Sequence, residues 1–291
     1  MSESIFLCAI SNIASGSCNE DCGFCAQSAR WNASIERYKT KPIDTIVDEA
    51  RAAKAAGAVG FCLVTAGKGV DDKLLEYVCR AASAVTAADL ELTIIACNGT
   101  VSSDQLNEMK KAGVSAYNHN LETSERFFPQ ICTTHSWSER FEVCERINAA
   151  GLALICGGIF GLGENEDDRK SFLLSLKKLR PFSVPLNFFI ANDSLPIKQG
   201  VIATNEAIRL VAKARGILGD APRIMLAGGK EQAFGTRLTE AIEAGANALV
   251  VGNYLTTEGM HSGALRRTLL DAGYAIATPA ECGAAKKAHH G

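Results

Sequence analysis

Three cysteines near the start of the chain are spaced C-x3-C-x2-C, as Cys18, Cys22 and Cys25. A structural zinc site takes four nitrogen or sulfur ligands, commonly as two close pairs. Three thiolates on one short loop instead suit a cubane [4Fe-4S] cluster in which one iron has no protein ligand. A small molecule can bind at that open iron. A zinc knuckle or a set of redox thiols is the plainer alternative.

Three further cysteines, Cys62, Cys97 and Cys156, fall late in apolar runs that read as strands. Each alone is more readily a small buried hydrophobe than a ligand. Together they make a second metal site if the fold turns all three inward at similar heights. Cys8 also lies in a strand pattern and is ambiguous. Cys79, Cys132, Cys144 and Cys282 have helix, loop or tail contexts and are expected not to bind metal. Asn118, Asn120 and Glu122 alternate at period two, so they share one strand face, while Tyr117, His119 and Leu121 share the other. Two amides and a carboxylate at a strand end can bind sugar hydroxyls or a ureido group. His119 reads as structural. The run Gly157-x-Ile159-x-Gly161-x-x-Glu164 is a glycine-rich loop after a strand, which could equally cradle a phosphate. Arg140 fits a surface ion pair. Arg223, at a strand start, fits a carboxylate partner or a loop cap.

The elements that must position these residues alternate along the chain. Short β-branched runs at 5–10, 59–65, 92–97, 115–120, 152–160, 184–190, 223–227 and 248–252 read as strands. Amphipathic segments at 43–56, 73–84, 103–112, 137–150, 166–179, 205–217 and 237–244 read as helices, with a last one at 263–272. Several close on glycine, as at Gly57, Gly113, Gly151 and Gly245. Eight strands each followed by a helix predict a (βα)8 TIM-type barrel, although a doubly wound sheet gives a similar pattern. The unusual residues sit at strand C-terminal ends, where barrel active sites are built. No linker divides the chain, so residues 1–280 are expected to form a single domain and 281–291 a flexible tail.

Composition sets bounds on function. A chain of 291 residues with 47% hydrophobic and 21% charged residues can bury a substantial core. Its net charge of −2 offers no general field for nucleic acid or an anionic membrane. No run is long enough to span a bilayer, and no signal-peptide pattern opens the chain, so a cytoplasmic location is expected. The eleven cysteines are then expected to be mostly reduced.

With Phe24 as the aromatic, the first motif resembles the radical S-adenosylmethionine (SAM) signature C-x3-C-x-aromatic-C. The wider pattern resembles the biotin synthase family over nearly the whole chain: the first three cysteines, Cys62, Cys97, the run from Tyr117 to Ser124, that from Cys156 to Glu164, that from Ser183 to Asn187, and that from Arg223 to Gly229. The resemblance implies that Cys18, Cys22 and Cys25 hold a [4Fe-4S] cluster that cleaves SAM to methionine and a 5′-deoxyadenosyl radical. It implies hydrogen abstraction from dethiobiotin and sulfur insertion from an auxiliary [2Fe-2S] cluster on Cys62, Cys97, Cys156 and Arg223. It places SAM against Phe24, Asn120, Glu122, Arg140, Gly157, Ile159 and Gly161, and substrate against Asn118 and Asn187. Many relatives carry aspartate at Glu122 and arginine at Lys230. The implied partners are an electron donor such as flavodoxin or ferredoxin, the iron–sulfur assembly machinery and a second copy in a homodimer. The rivals are another radical SAM enzyme sharing only the first cluster, a barrel aldolase or isomerase acting on a phosphorylated substrate, and a zinc- or redox-sensing module.

Overall fold

The computed structural model describes residues 4–254 and 259–283. Its strands are β1 (Ser4–Ala14), β2 (Gly60–Thr65), β3 (Thr93–Cys97), β4 (Val114–Asn118), β5 (Ala153–Ile155), β6 (Gly158–Phe160), β7 (Ser183–Phe188), β8 (Arg223–Leu226), β9 (Ala248–Val250) and β10 (Ala275–Ile276). All pairings are parallel, and β9 pairs back onto β1. The sheet therefore closes. Counting β5 and β6 as one interrupted strand gives the eight-stranded barrel, with β10 added beside β1.

Helices α1 (Ile43–Ala55), α2 (Asp72–Ala87), α3 (Ser103–Lys111), α4 (Trp137–Ala149), α5 (Glu166–Leu179), α6 (Thr204–Leu218), α7 (Lys230–Phe234), α8 (Leu238–Glu243), α9 (Ser262–Asp271) and α10 (Pro279–Cys282) follow the strands. Local sequence starts several of them. Reciprocal capping boxes, Ser102 with Gln105, Ser136 with Glu139 and Asn165 with Asp168, open α3, α4 and α5 and satisfy otherwise unpaired amides. The box on α4 also fixes the start of the helix that carries Arg140.

Two apolar layers hold the barrel. Leu7, Leu63, Tyr117, Leu154 and Leu226 point outward against the helices. Cys8, Cys62, Ile95, Ile155, Met225 and Val250 point inward. Strands buried on both faces explain why the strand runs read as continuous apolar stretches rather than as alternation.

Two sequence expectations change. The strand expected at 152–160 breaks at Cys156–Gly157, where Gly157 lies so close to the backbone of Pro185 that a Cβ there would stand 1.9 Å from the Pro185 carbonyl oxygen. The tail expected to begin at residue 281 does not: Pro279–Cys282 is helical, and Cys282 is buried under the barrel. Residues 284–291 lie outside the described residues. Among the described residues, no helix is long and apolar enough to cross a membrane.

Candidate active site

The three motif cysteines sit on a loop between β1 and α1 that backbone bonds hold in shape. Cys25 N donates to Cys22 O at 3.0 Å, Ala29 N to Cys18 O at 2.7 Å, and the indole of Trp31 to Cys22 O at 2.9 Å. Asp21 fastens this loop to a distant one. It accepts from the amides of Thr133 and Thr134 at 2.9 and 3.2 Å. Although burial opposes ionisation, bonds from the Thr133 hydroxyl and amide, and then from the Cys132 thiol and the Thr134 hydroxyl, hold its carboxyl below the usual carboxylate range. Cys18, Cys22 and Cys25 all line one mouth cavity of about 180 Å³. Three soft donors on a fixed loop around one cavity fit a cluster with an open iron.

Cys132, which the sequence was expected to keep away from metal, and His135, which no pattern singled out, stand beside Cys22 at this mouth. Cys132 Sγ lies 3.6 Å from Cys22 Sγ and 3.4 Å from His135 Nδ1. The thiol of Cys22 donates in that contact, which pushes Cys22 up and pulls Cys132 down to about 4. His135 also touches Glu20 Oε2 at 2.5 Å and Arg140 Nη1 at 3.1 Å. Only the fold brings residues more than a hundred positions apart into this cluster, so no local pattern marked them.

Asn118, Asn120 and Glu122 line the barrel cavity together, while His119 joins them only at the mouth and the strand itself ends at Asn118. Glu122 adopts a left-handed backbone, with φ of 67°. Its amide donates to Gly157 O at 3.2 Å and its carbonyl accepts from Ile159 N at 2.8 Å. Arg140 reaches Glu122 Oε1 at 3.3 Å and Asn120 O at 2.5 Å, so it belongs to the mouth rather than to a surface ion pair. Burial pushes the Glu122 carboxyl up despite Arg140. Among the described residues, Glu122 Oε2 and Asn118 Oδ1 are buried without a partner. Buried polar atoms are nearly always paired, so these two mark where a polar ligand such as a ribose diol or a urea fits.

Glu164 shapes the glycine loop from behind. Its carboxylate accepts from Gly161 N and Leu162 N at 2.9 and 2.8 Å and from Arg169 Nε at 2.8 Å. That leaves Ile159 and Phe24 on the cavity wall. Asn187 lines the same cavity, but its amide donates to Gly158 O and accepts from Gly228 N. Lys230 is buried and pairs with Glu231 at 2.7 Å and with the hydroxyl of Tyr254. His119 is buried and lines the mouth cavity, and burial first, then nearby cationic groups, push it far below its usual range.

Below the mouth the barrel interior is a cavity of about 390 Å³. An eight-stranded barrel of shear eight stacks its inward residues in layers of four from alternate strands. Following the strand register with that stagger puts Cys8, Ile95, Ile155 and Met225 in one layer. Cys62, Asn118, Pro185 and Val250 form the next toward the mouth, and Ile10, Cys97 and Ala227 lie above. All eleven residues line the cavity.

The structure does not bring the four expected auxiliary ligands together. Cys62 and Cys97 face inward and share a sulfur–sulfur hydrogen bond. Cys156 follows the inward Ile155 and so points outward, where its sulfur lies 3.7 Å from Cys144 Sγ on α4. Arg223 lies one inward step below Met225, at the barrel floor. Its guanidinium stacks 3.5 Å from the Phe6 ring centroid and 4.5 Å from that of Phe182, and donates to Cys282 O at 2.6 Å. The donor set Cys62, Cys97, Cys156 and Arg223 therefore does not fit a single [2Fe-2S] cluster.

Comparison with known proteins gives the family of the chain. Residues 12–176 match the model of the radical SAM superfamily, and residues 185–275 that of the biotin and thiamin synthesis associated domain. A biotin synthase of Nautilia profundicola is 55% identical over 281 residues, covering 96% of this chain and 99% of that protein. The chain belongs to the biotin synthase family of radical SAM enzymes. A second member, from Campylobacter jejuni, is 53% identical over 88% of this chain and 91% of its own. Membership of the superfamily carries with it a [4Fe-4S] cluster and SAM. Among solved structures, methylornithine synthase has a TM-score of 0.79 at 17% identity, over 96% of this chain and 85% of that one. The FeFe-hydrogenase maturase of Carboxydothermus hydrogenoformans reaches 0.78 at 19% identity, over 93% and 67%. These last two speak for the fold alone.

Proposed function

We propose that the chain converts dethiobiotin to biotin, replacing two C–H bonds with two C–S bonds. The observation that carries this reading is the continuity of the site: Cys25 lines both the mouth cavity and the barrel cavity that holds Cys62 and Cys97. When bound, the [4Fe-4S] cluster and SAM together supply a hydrogen-abstracting 5′-deoxyadenosyl group. Cys18, Cys22 and Cys25 would hold the cluster. Asn120, Glu122 and Arg140 would bind and orient SAM, against a wall made by Phe24, Gly157, Ile159 and Gly161. Asn118 would receive the ureido ring, with Asn187 holding the wall beside it. The largely apolar barrel would exclude water and stray hydrogen donors around the substrate carbons.

The reading includes a sulfur-donating iron–sulfur cluster deeper in the barrel, a one-electron donor such as flavodoxin or ferredoxin, iron–sulfur assembly machinery and a homodimer. Anaerobic incubation with SAM, a reductant and dethiobiotin tests it. The expected result is biotin, with two molecules of 5′-deoxyadenosine for each, one per hydrogen removed. Production of 5′-deoxyadenosine with no biotin would assign the chain to a different radical SAM reaction.

A further inference from the structure

We propose that Cys8, Cys62 and Cys97 are the protein thiolates of the iron–sulfur cluster inside this barrel, Cys8 standing in for Cys156 and Arg223. The inference rests on the reading that the barrel holds a second cluster, and it names the residues that hold it.

The barrel decides which thiols can meet. Cys8, Cys62 and Cys97 lie on three neighbouring strands and face the same cavity. They occupy three successive layers, each about 3 Å above the last for a tilted strand. Cys8 Sγ leans toward β2, 3.3 Å from where a Cβ on Gly60 would stand, so the absent side chain at Gly60 leaves it room beside Cys62. Cys62 and Cys97 are already in sulfur contact.

The alternatives face elsewhere. Cys156 would have to turn through the wall of the barrel, past Ile155, to reach this cavity. Arg223 is committed to two aromatic rings and two backbone carbonyls at the floor. Cys8 shares its layer with Ile155 and Met225, the residues that stand inward on the strands of Cys156 and Arg223. It is therefore the one soft donor of thiolate type at that depth among the described residues. Three thiolates from one wall would hold the cluster and leave the rest of the cavity free for a substrate.

Iron and acid-labile sulfide in the full chain test the assignment. A background carrying Cys18→Ala, Cys22→Ala and Cys25→Ala removes the first site, so remaining cluster belongs to the barrel. In that background Cys8→Ala should lower bound iron and sulfide about tenfold, at least the scale on which lesser perturbations of a metal site act. Cys156→Ala and Arg223→Met should leave both unchanged. Cys8→Ser keeps the volume, guards against simple misfolding, and should shift the absorption and Mössbauer spectra. Retention of iron in Cys8→Ala with loss in Cys156→Ala overturns the assignment, as does an unaltered spectrum in Cys8→Ser. A background that binds no iron removes the barrel cluster itself. Biotin formation, measured with the first site intact, is a separate readout: its absence alongside the expected iron pattern would sink the dethiobiotin reading and leave these ligands standing.

Discussion

Gly157→Ala probes how tightly the broken fifth strand is held against its neighbour. A methyl at this position would stand 1.9 Å from Pro185 O, 2.7 Å from Pro185 C and 2.8 Å from Pro185 N. An ordinary contact begins near 3.4 Å, so β7 or the glycine loop must move by about 1.5 Å, and both sides are backbone. Overpacking of this kind costs about 3 kcal/mol, which for a domain of this size lowers Tm by about 6–12 °C. The displacement would not stay local. Gly157 N donates to Asn120 Oδ1 at 3.0 Å, and Gly157 O accepts from Leu121 and Glu122. Moving it therefore moves the carboxylate and amide proposed to hold SAM, and SAM affinity should fall about tenfold, the equivalent of one hydrogen bond to a charged group. Gly216→Ala is the matched control: it lies inside α6 with no described residue within 4 Å of an added Cβ, and should stabilise by about 0.5–1 kcal/mol. Denaturant unfolding and equilibrium SAM binding read both variants. A Gly157→Ala protein within about 0.5 kcal/mol of wild type, with unchanged SAM affinity, would refute the close approach and its link to the site.

Other perturbations separate the remaining assignments. Cys22→Ala should abolish 5′-deoxyadenosine production, whereas Cys132→Ala, which removes only the neighbour of Cys22, should retain it; equal loss in both would make Cys132 part of the cluster site. Arg223→Met should cost about 2 kcal/mol in chemical unfolding through lost ring stacking and carbonyl bonds at the floor. It should leave the first-cluster spectrum as it was. Asp168 is buried yet held below its usual range, because bonds from Ser124, the Asn165 amide and Arg126 outweigh the burial that opposes ionisation. A depressed folded pKa gives stability that is present above the unfolded value, near 3.9, and is lost as pH falls through the folded one. Asp168→Asn should therefore be less stable than wild type at pH 7, with the gap narrowing below about pH 4; a gap independent of pH in a denaturation series would contradict it.

The barrel was legible because each strand carries an apolar run and each helix an amphipathic repeat, and because glycines such as Gly113 and Gly151 mark where helices end. Asn118, Asn120 and Glu122 do line one cavity, but β4 ends at Asn118, so the loop beyond it and not a strand face carries the last two. Inward and outward parity was not legible in the fifth strand. Ala153, Leu154, Ile155 and Cys156 are all buried and apolar, so nothing in the pattern tells the barrel side from the helix side. Depth was equally hidden at Arg223, whose two-residue offset from Met225 separates the floor from the cavity. Cys132 and His135 could not be read from spacing at all, since α4 and the loop before it reach Cys22 only once the chain has folded.

Glu122 also sets a limit on improving this protein. Its left-handed backbone suits glycine, asparagine or aspartate better than glutamate, and such strain commonly costs about 1–3 kcal/mol. A search for thermostable variants would be drawn to this position, since relaxing the backbone is a dependable gain. A glycine there would lose the carboxylate, and a shorter acid would withdraw it from Arg140 and from the mouth. Stability and reach are set against each other in one residue, so hardening the scaffold should begin with glycines far from the mouth, such as Gly216.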